Sequence, residues 1–213
     1  MTPDLVVVVL AGGEGRRMGG GKPLRRFRGR SLIDHALDRA LSWSPRVAVS
    51  VRSPDQVGPV GLPLVVDDPG IEGPLAGLSA ALEWAAREGF ARVLTLPCDM
   101  QGLPDDLARR LDAALDASTI VAMARCAGRL HPVCALWDTR ALAALPAYRA
   151  DGGSSLRGLA EAVGMTPVDW GNACAEAFEN INSPGDLARL TAHSGGWCAD
   201  KPRLPQVRSG PND

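Results

Sequence analysis

The run from Leu5 to Ala11 is apolar at every position, rich in valine, and stops at two glycines. Side chains of a strand point alternately to its two faces, so a strand with no polar position must be covered on both. That arrangement belongs to a central strand of a parallel sheet flanked by helices. The next segment is equally restrictive. Six of the ten residues from Gly12 to Gly21 are glycine, so the backbone there is free to take positive φ and to approach a ligand closely. Between Arg16 and Arg30 stand seven basic residues and no acidic one, a segment suited to an anion.

Strand and helix patterns then alternate. Ser31 with Asp34 reads as a capping-box variant opening a helix whose apolar positions are Ile33, Ala36, Leu37, Ala40 and Leu41. Val47 to Val51 and Leu62 to Val66 read as strands, the second stopping at Asp67, Asp68 and Pro69. A helix is expected from Pro74, with Leu75, Leu78, Leu82 and Ala85 on one face and Gly89 as its stop. Val93 to Leu96 is a strand running into Pro97, Cys98 and Asp99, and the next helix is placed at Pro104. Ile120 to Ala124 and Val133 to Trp137 read as strands, Ser155 to Val163 as a helix, and Ser183-Pro184 as the cap of a last helix to about Ala192. The fold class is therefore α/β, three layers, with a mostly parallel sheet and helices on both faces. Ligands in such sheets bind at the carboxyl ends of the strands, so the loops beginning at Gly12, Asp67 and Asp99 should share one rim.

A chain of 213 residues, 46% hydrophobic and 22% charged, suits one domain, read as residues 1–193, with 194–213 as a disordered tail rich in Pro and Gly. The net charge of -1 gives no global attraction to nucleic acid or to an anionic membrane, and neither is expected as a partner. The five cysteines are scattered without a C-x-x-C pair, which reads as reduced thiols. No stretch reaches the roughly 18 apolar residues of a membrane span, and the N-terminal run lacks the basic flank of a signal peptide. A cytoplasmic location is expected.

The glycine loop fits neither common phosphate-binding pattern. A P-loop needs Gly at 16 and Ser or Thr at 23, where this chain has Arg16 and Pro23; a dinucleotide fingerprint started at Gly13 and Gly15 has Met18 in its third glycine position. What remains is backbone amides, two arginines and Lys22 gathered at the end of a strand, a set of donors for a polyphosphate. Asp99, directly after an apolar strand, should stand at the same rim, where its carboxylate can share a magnesium ion with phosphate oxygens; capping the next helix is the plainer use of it. Asn180 and Asn182 alternate along an extended segment and so face one way, although Asn182 could equally help cap the last helix.

The stretch L-A-G-G-x-G-x-R-M followed by Lys22 resembles the signature of nucleotidyltransferases that activate small phosphorylated compounds. Gly73-Pro74-Leu75-Ala76-Gly77, Pro97-Cys98-Asp99 before Leu103-Pro104, His131-Pro132-Val133 with Leu136-Trp137, and Phe178 to Pro184 narrow the likeness to the molybdenum cofactor guanylyltransferase family over roughly residues 5 to 190. One departure is that Gly21 precedes Lys22 where the family usually has an Asp. The resemblance implies a nucleotide-diphospho-sugar-transferase or Rossmann-like nucleotidyltransferase fold. It also implies a reaction in which the phosphate of molybdenum-molybdopterin attacks the α-phosphorus of GTP and releases pyrophosphate, forming the guanine dinucleotide cofactor with Mg2+ as the metal.

By the same resemblance Leu10, Ala11, Gly12, Gly13, Ser50 and Asp68 hold the nucleotide, with Asp67 the neighbour of Asp68. Lys22 and one of Arg16 and Arg17, preferably Arg16, hold its phosphates, Asp99 binds the metal, and Asn180 and Asn182 lie beside them. His131 is read as mainly structural, with a role in acceptor binding as the alternative. A partner enzyme of cofactor assembly is expected, though no segment identifies its docking surface. Three rival readings stay open: a cytidylyltransferase for the same cofactor, a sugar- or polyol-phosphate nucleotidyltransferase, and a non-catalytic nucleotide-binding module.

Overall fold

In the computed structural model, residues 4–13, 20–172, 175–183 and 185–186 are described. The expected tail at 194–213, most of the expected last helix, and Arg16 and Arg17 lie outside them. In chain order the elements are β1 (Leu5–Leu10), a small hairpin of β2 (Arg26–Phe27) and β3 (Arg30–Ser31), α1 (Leu32–Trp43), β4 (Val47–Val51), β5 (Leu64–Val66), α2 (Pro74–Arg87) and β6 (Arg92–Pro97). Then come α3 (Leu107–Ala114), β7 (Val121–Cys126), β8 (Arg129–Asp138), α4 (Leu145–Ala150), α5 (Leu156–Val163) and β9 (Met165–Asp169).

Seven strands form one sheet in the order β5-β4-β1-β6-β8-β7-β9. β1 lies parallel to both neighbours, β4 and β6. Only β8 runs against the rest, because it is joined to β7 by a tight turn at Ala127 and Gly128, both with positive φ (48° and 73°). Two such residues twist a hairpin in the sense that strands prefer. The helix layers follow from β1. Leu5, Val7 and Val9 enter one core with Ile33, Ala36 and Leu37 of α1 and Leu107 and Leu111 of α3. Val6 and Val8 enter the other with Leu75, Leu78 and Leu82 of α2 and Leu159 of α5. The apolar run thus sits in a mostly parallel sheet between two helix layers.

Helix starts follow local chemistry. Ser31 and Asp34 make the reciprocal capping box expected from the sequence, at 3.2 and 3.1 Å. The helix expected at Pro104 begins only at Leu107, because Asp105 and Asp106 lie in a turn closed by the Leu107 amide donating to the Pro104 carbonyl at 3.1 Å. The β2–β3 hairpin and β9 have no counterpart among the expected elements. β9 is an edge strand that tolerates Pro167 because its outer side needs no donor.

Ala127 holds a left-handed conformation that alanine rarely takes, and Asn takes it more readily. Ala127→Asn is expected to raise the unfolding free energy by about 0.5–1 kcal/mol, measured by urea denaturation; a fall would show that this turn is not strained in solution.

Candidate functional site

The register of the three central strands builds the rim. Leu10 is opposite Ser50 on β4 and Pro97 on β6, so those three strands end level with one another. The Ala11 amide donates to the Ser50 carbonyl at 2.9 Å and the Asp67 amide to the Val51 carbonyl at 2.8 Å, which carries the pairing just past the strands. Over this rim opens a cleft of about 570 Å³. Its walls include Leu10, Ala11, Gly12, Gly13, Lys22, Ser50, Asp99, Asn180 and Asn182, every one a residue singled out from the sequence.

Gly12 is closely faced: a Cβ at this position would run into the Asp67 carboxylate, which would have to shift. Gly77, in the first turns of α2, is similarly constrained, since a Cβ would come within 2.5 Å of the Ser50 hydroxyl. Gln56, which no sequence pattern marked, donates its amide to the carbonyls of Ala11 at 2.9 Å and Gly13 at 3.3 Å and so holds the start of the glycine loop. Gly20 and Gly21 have φ of 80° and 60°. That left-handed geometry, easy for glycine, sits where the resembling family carries an aspartate before its lysine.

From that turn Lys22 reaches across the cleft. Its ammonium forms an ion pair with Asp99 Oδ2 and donates to Asn182 Oδ1 at 2.9 Å. Asp99 is fixed from the other side, its carbonyl accepting the Ile181 amide at 2.9 Å. Ile181 is fully buried against Phe27 and Leu32, so in this extended segment Asn180 and Asn182 turn to the cleft as alternation expects. The Asn182 and Ser183 amides both donate to Asp186 Oδ2, at 3.0 and 2.9 Å, and Ser183 Oγ accepts the Asp186 amide at 3.1 Å. Asn182 thereby keeps its side chain for Lys22 and leaves capping to Ser183 and Asp186.

The two neighbouring aspartates are placed differently. Asp67, not Asp68, lines the cleft. Asp67 accepts from the Ser50 hydroxyl at 2.5 Å, and burial pushes its carboxyl above the usual range, opposed by that hydrogen bond and by the charge of Arg52. Asp68 instead accepts the Gly70 amide at 2.8 Å and shapes the loop that leads to α2. Arg52 and Glu72 also border the cleft and carried no signal in the sequence, and Val133 of the His131-Pro132-Val133 stretch borders it as well.

His131 is not part of the wall. It is buried, with its ring 4.6 Å from that of Phe178, and burial together with the charge of Arg129 lowers its pKa to about 4. Phe178 in turn meets Trp170, whose indole donates to Asp106 at 2.9 Å, so this stack fastens the segment that delivers Asn180 and Asn182. Cys98 touches the cleft, but burial and the Asp99 charge raise its thiol to about 12, which keeps it protonated and non-nucleophilic.

Among the described residues no group of three or more His, Cys, Asp or Glu side chains is placed to cage a metal. Magnesium seldom needs such a cage; one or two carboxylates shared with substrate phosphates suffice. Asp99, a hard oxygen donor at the lip of an open cleft, fits a metal held in that shared way. No described helix is long and apolar enough to cross a membrane.

The sequence matches the family described as the MobA-like NTP transferase domain over residues 7–169. It is 39% identical over 195 residues to the molybdenum cofactor guanylyltransferase of Rhodopseudomonas palustris strain BisB5, covering 87% of this chain and 92% of that relative. It is 38% identical over 184 residues to the molybdenum cofactor guanylyltransferase of Cereibacter sphaeroides, covering 85% and 93%. Among solved structures, the molybdopterin-guanine dinucleotide biosynthesis protein A of Archaeoglobus fulgidus superposes with a TM-score of 0.71 at 22% identity, covering 87% of this chain and 96% of that one. The 2-C-methyl-D-erythritol 4-phosphate cytidylyltransferase of Thermus thermophilus gives 0.61 at 20% identity, covering 87% and 96%. At these identities the two structures establish the nucleotidyltransferase fold and nothing about the base.

The buried His131 gives a pH signature. Its pKa is lowered in the folded protein, so between about pH 6.5 and pH 4 the unfolded chain binds a proton that the folded protein refuses, and stability falls as pH falls through that window. Removing the imidazole removes this loss. The stability gap between the wild type and His131→Gln, from urea unfolding, should therefore narrow from pH 7 to pH 4; a gap independent of pH would show that His131 titrates normally.

Proposed function

Because the chain belongs to the MobA-like NTP transferase family, we propose that it transfers GMP from GTP to the phosphate of molybdenum-molybdopterin, releasing pyrophosphate and leaving the guanine dinucleotide cofactor. The observation that carries this reading is the meeting of Lys22, Asp99 and Asn182 at the mouth of a glycine-walled cleft, in a chain whose relatives across most of its length are guanylyltransferases.

Each group has a part that its chemistry suits. The main chain from Leu10 to Gly13 lies against the nucleoside, where glycine permits close approach. Asp67, held by Ser50, offers two carboxylate oxygens to the N1–H and N2–H donors of guanine, an edge that cytosine lacks. Lys22 supplies a positive charge to the triphosphate, and Arg16, assigned on the resemblance alone, adds a planar fork to the same phosphates. Asp99 holds the magnesium ion, with Asn180 and Asn182 as amide donors to the acceptor phosphate. Magnesium, when bound, neutralises charge on the transferring phosphoryl group. A phosphate monoester is already largely ionised at neutral pH, so no general base is required. Positioning and charge stabilisation carry the reaction, which agrees with a cleft whose wall, among the described residues, holds no histidine. The location that goes with this function is the cytoplasm.

The test is thermal unfolding with GTP, CTP, ATP and UTP in turn, each with magnesium. A nucleotide at about 100 times its dissociation constant adds roughly 2.7 kcal/mol, so GTP alone should raise the midpoint. Asp99→Ala should keep the fold and lose the magnesium-dependent share of that rise along with transfer activity. A rise with CTP instead would move the protein to the cytidylyl branch, and no rise with any nucleotide would refute the nucleotide site itself.

The role of Asp67 is tested separately. Asp67→Asn, which keeps a hydrogen-bond acceptor for Ser50, should weaken GTP binding by about 1–3 kcal/mol while leaving magnesium dependence intact; unchanged GTP affinity by calorimetry would remove Asp67 from base recognition.

A further inference from the structure

The Lys22 ammonium occupies the carboxylate on which the proposed metal site depends. It forms an ion pair with Asp99 Oδ2 and is held there by a second bond to Asn182 Oδ1 at 2.9 Å. Both partners are withdrawn from solvent, with 13% and 11% of their side-chain surfaces exposed, so water and salt screen the ammonium only weakly from a cation arriving at the same group. The Asp99 backbone is held by the Ile181 amide, and the residue is 8% exposed. Lys22 is the movable partner. It carries its charge on a flexible four-carbon stem and follows two left-handed glycines, Gly20 and Gly21.

Resting on the nucleotidyltransferase reading above, we propose that Lys22 is the counterion that excludes magnesium from Asp99 until a nucleoside triphosphate draws its ammonium away. The metal site is then assembled by the nucleotide and is not preformed. Phosphate oxygens offer Lys22 acceptors of higher charge than Asp99 and Asn182 provide, and its departure frees the carboxylate for the metal that the same phosphates also bind. By linkage the coupling is reciprocal: triphosphate and metal raise each other's affinity by the same factor. The pair also keeps a buried carboxylate from standing unpaired between turnovers.

The experiment measures Mn2+ binding to the full chain without nucleotide, from the free-ion EPR signal, for the wild type, Lys22→Met, Lys22→Arg and the double variant Lys22→Met/Asp99→Asn. Circular dichroism checks that each is folded. Lys22→Met should bind Mn2+ at least about tenfold more tightly than the wild type, within the usual range of such couplings. Lys22→Arg, which keeps the positive charge, should behave as the wild type, and the double variant should lose the gain. Equal affinities of the wild type and Lys22→Met, or a gain that survives loss of the Asp99 carboxylate, would overturn the proposal. The thermal unfolding series with GTP, CTP, ATP and UTP keeps the two readings apart. Failure of every nucleotide to raise the midpoint counts against the proposed function, whereas the nucleotide-free Mn2+ comparison alone decides whether Lys22 guards Asp99.

Discussion

The structure depends on the burial of β1 from four directions at once. Two parallel neighbours close its edges and two helix layers close its faces, so its odd and even residues belong to different cores. A polar side chain along it would need a hydrogen-bond partner inside a core, as Thr95 on β6 finds in the Ala135 carbonyl. The first polar business of the chain is therefore postponed to the point where β1 ends, and there three strands stop level with one another. A cleft at that place is a consequence of the packing, because the carboxyl ends leave a crevice that neither helix layer fills.

Within the cleft the polar groups hold one another in place from distant parts of the chain. Lys22 and Asn182 are separated by 160 positions and meet at 2.9 Å. The segment carrying Asn180 and Asn182 is clamped at two points, by Phe178 in the stack with His131 and Trp170 and by Ile181 against Phe27 and Leu32. Phe27 belongs to the small hairpin that follows Lys22, so the same apolar contact aligns both sides of the lysine's hydrogen bond. Rigid apolar anchors around a few charged groups suit chemistry that relies on fixed electrostatics.

Asp67 and Asp68 illustrate what neighbouring residues can and cannot reveal. Both precede Pro69, both are carboxylates, and a one-residue step at the end of a strand changes the face to which a side chain points. The family likeness favoured Asp68. The continued pairing of the Asp67 amide with the Val51 carbonyl sets the register, and with it Asp67 turns to Ser50 while Asp68 closes a local turn. Gln56 was equally hidden, since an exposed-looking glutamine after a short turn carries no pattern until the glycine loop is seen beside it.

By itself the sequence determined the layered α/β architecture, the order of most strands and helices along the chain, the glycine loop, and the small set of charged and amide residues able to handle a polyphosphate. These are local signals: apolar runs, helical spacing, caps and glycines act within a few residues of where they are written. The tertiary structure decided which of two aspartates enters the cleft, that Lys22 rests on Asp99 and Asn182, that β8 runs against its neighbours, and that β9 forms an edge despite its proline. Those outcomes depend on strand register and on contacts between segments far apart in the chain, and both exist only after the two cores have closed around β1.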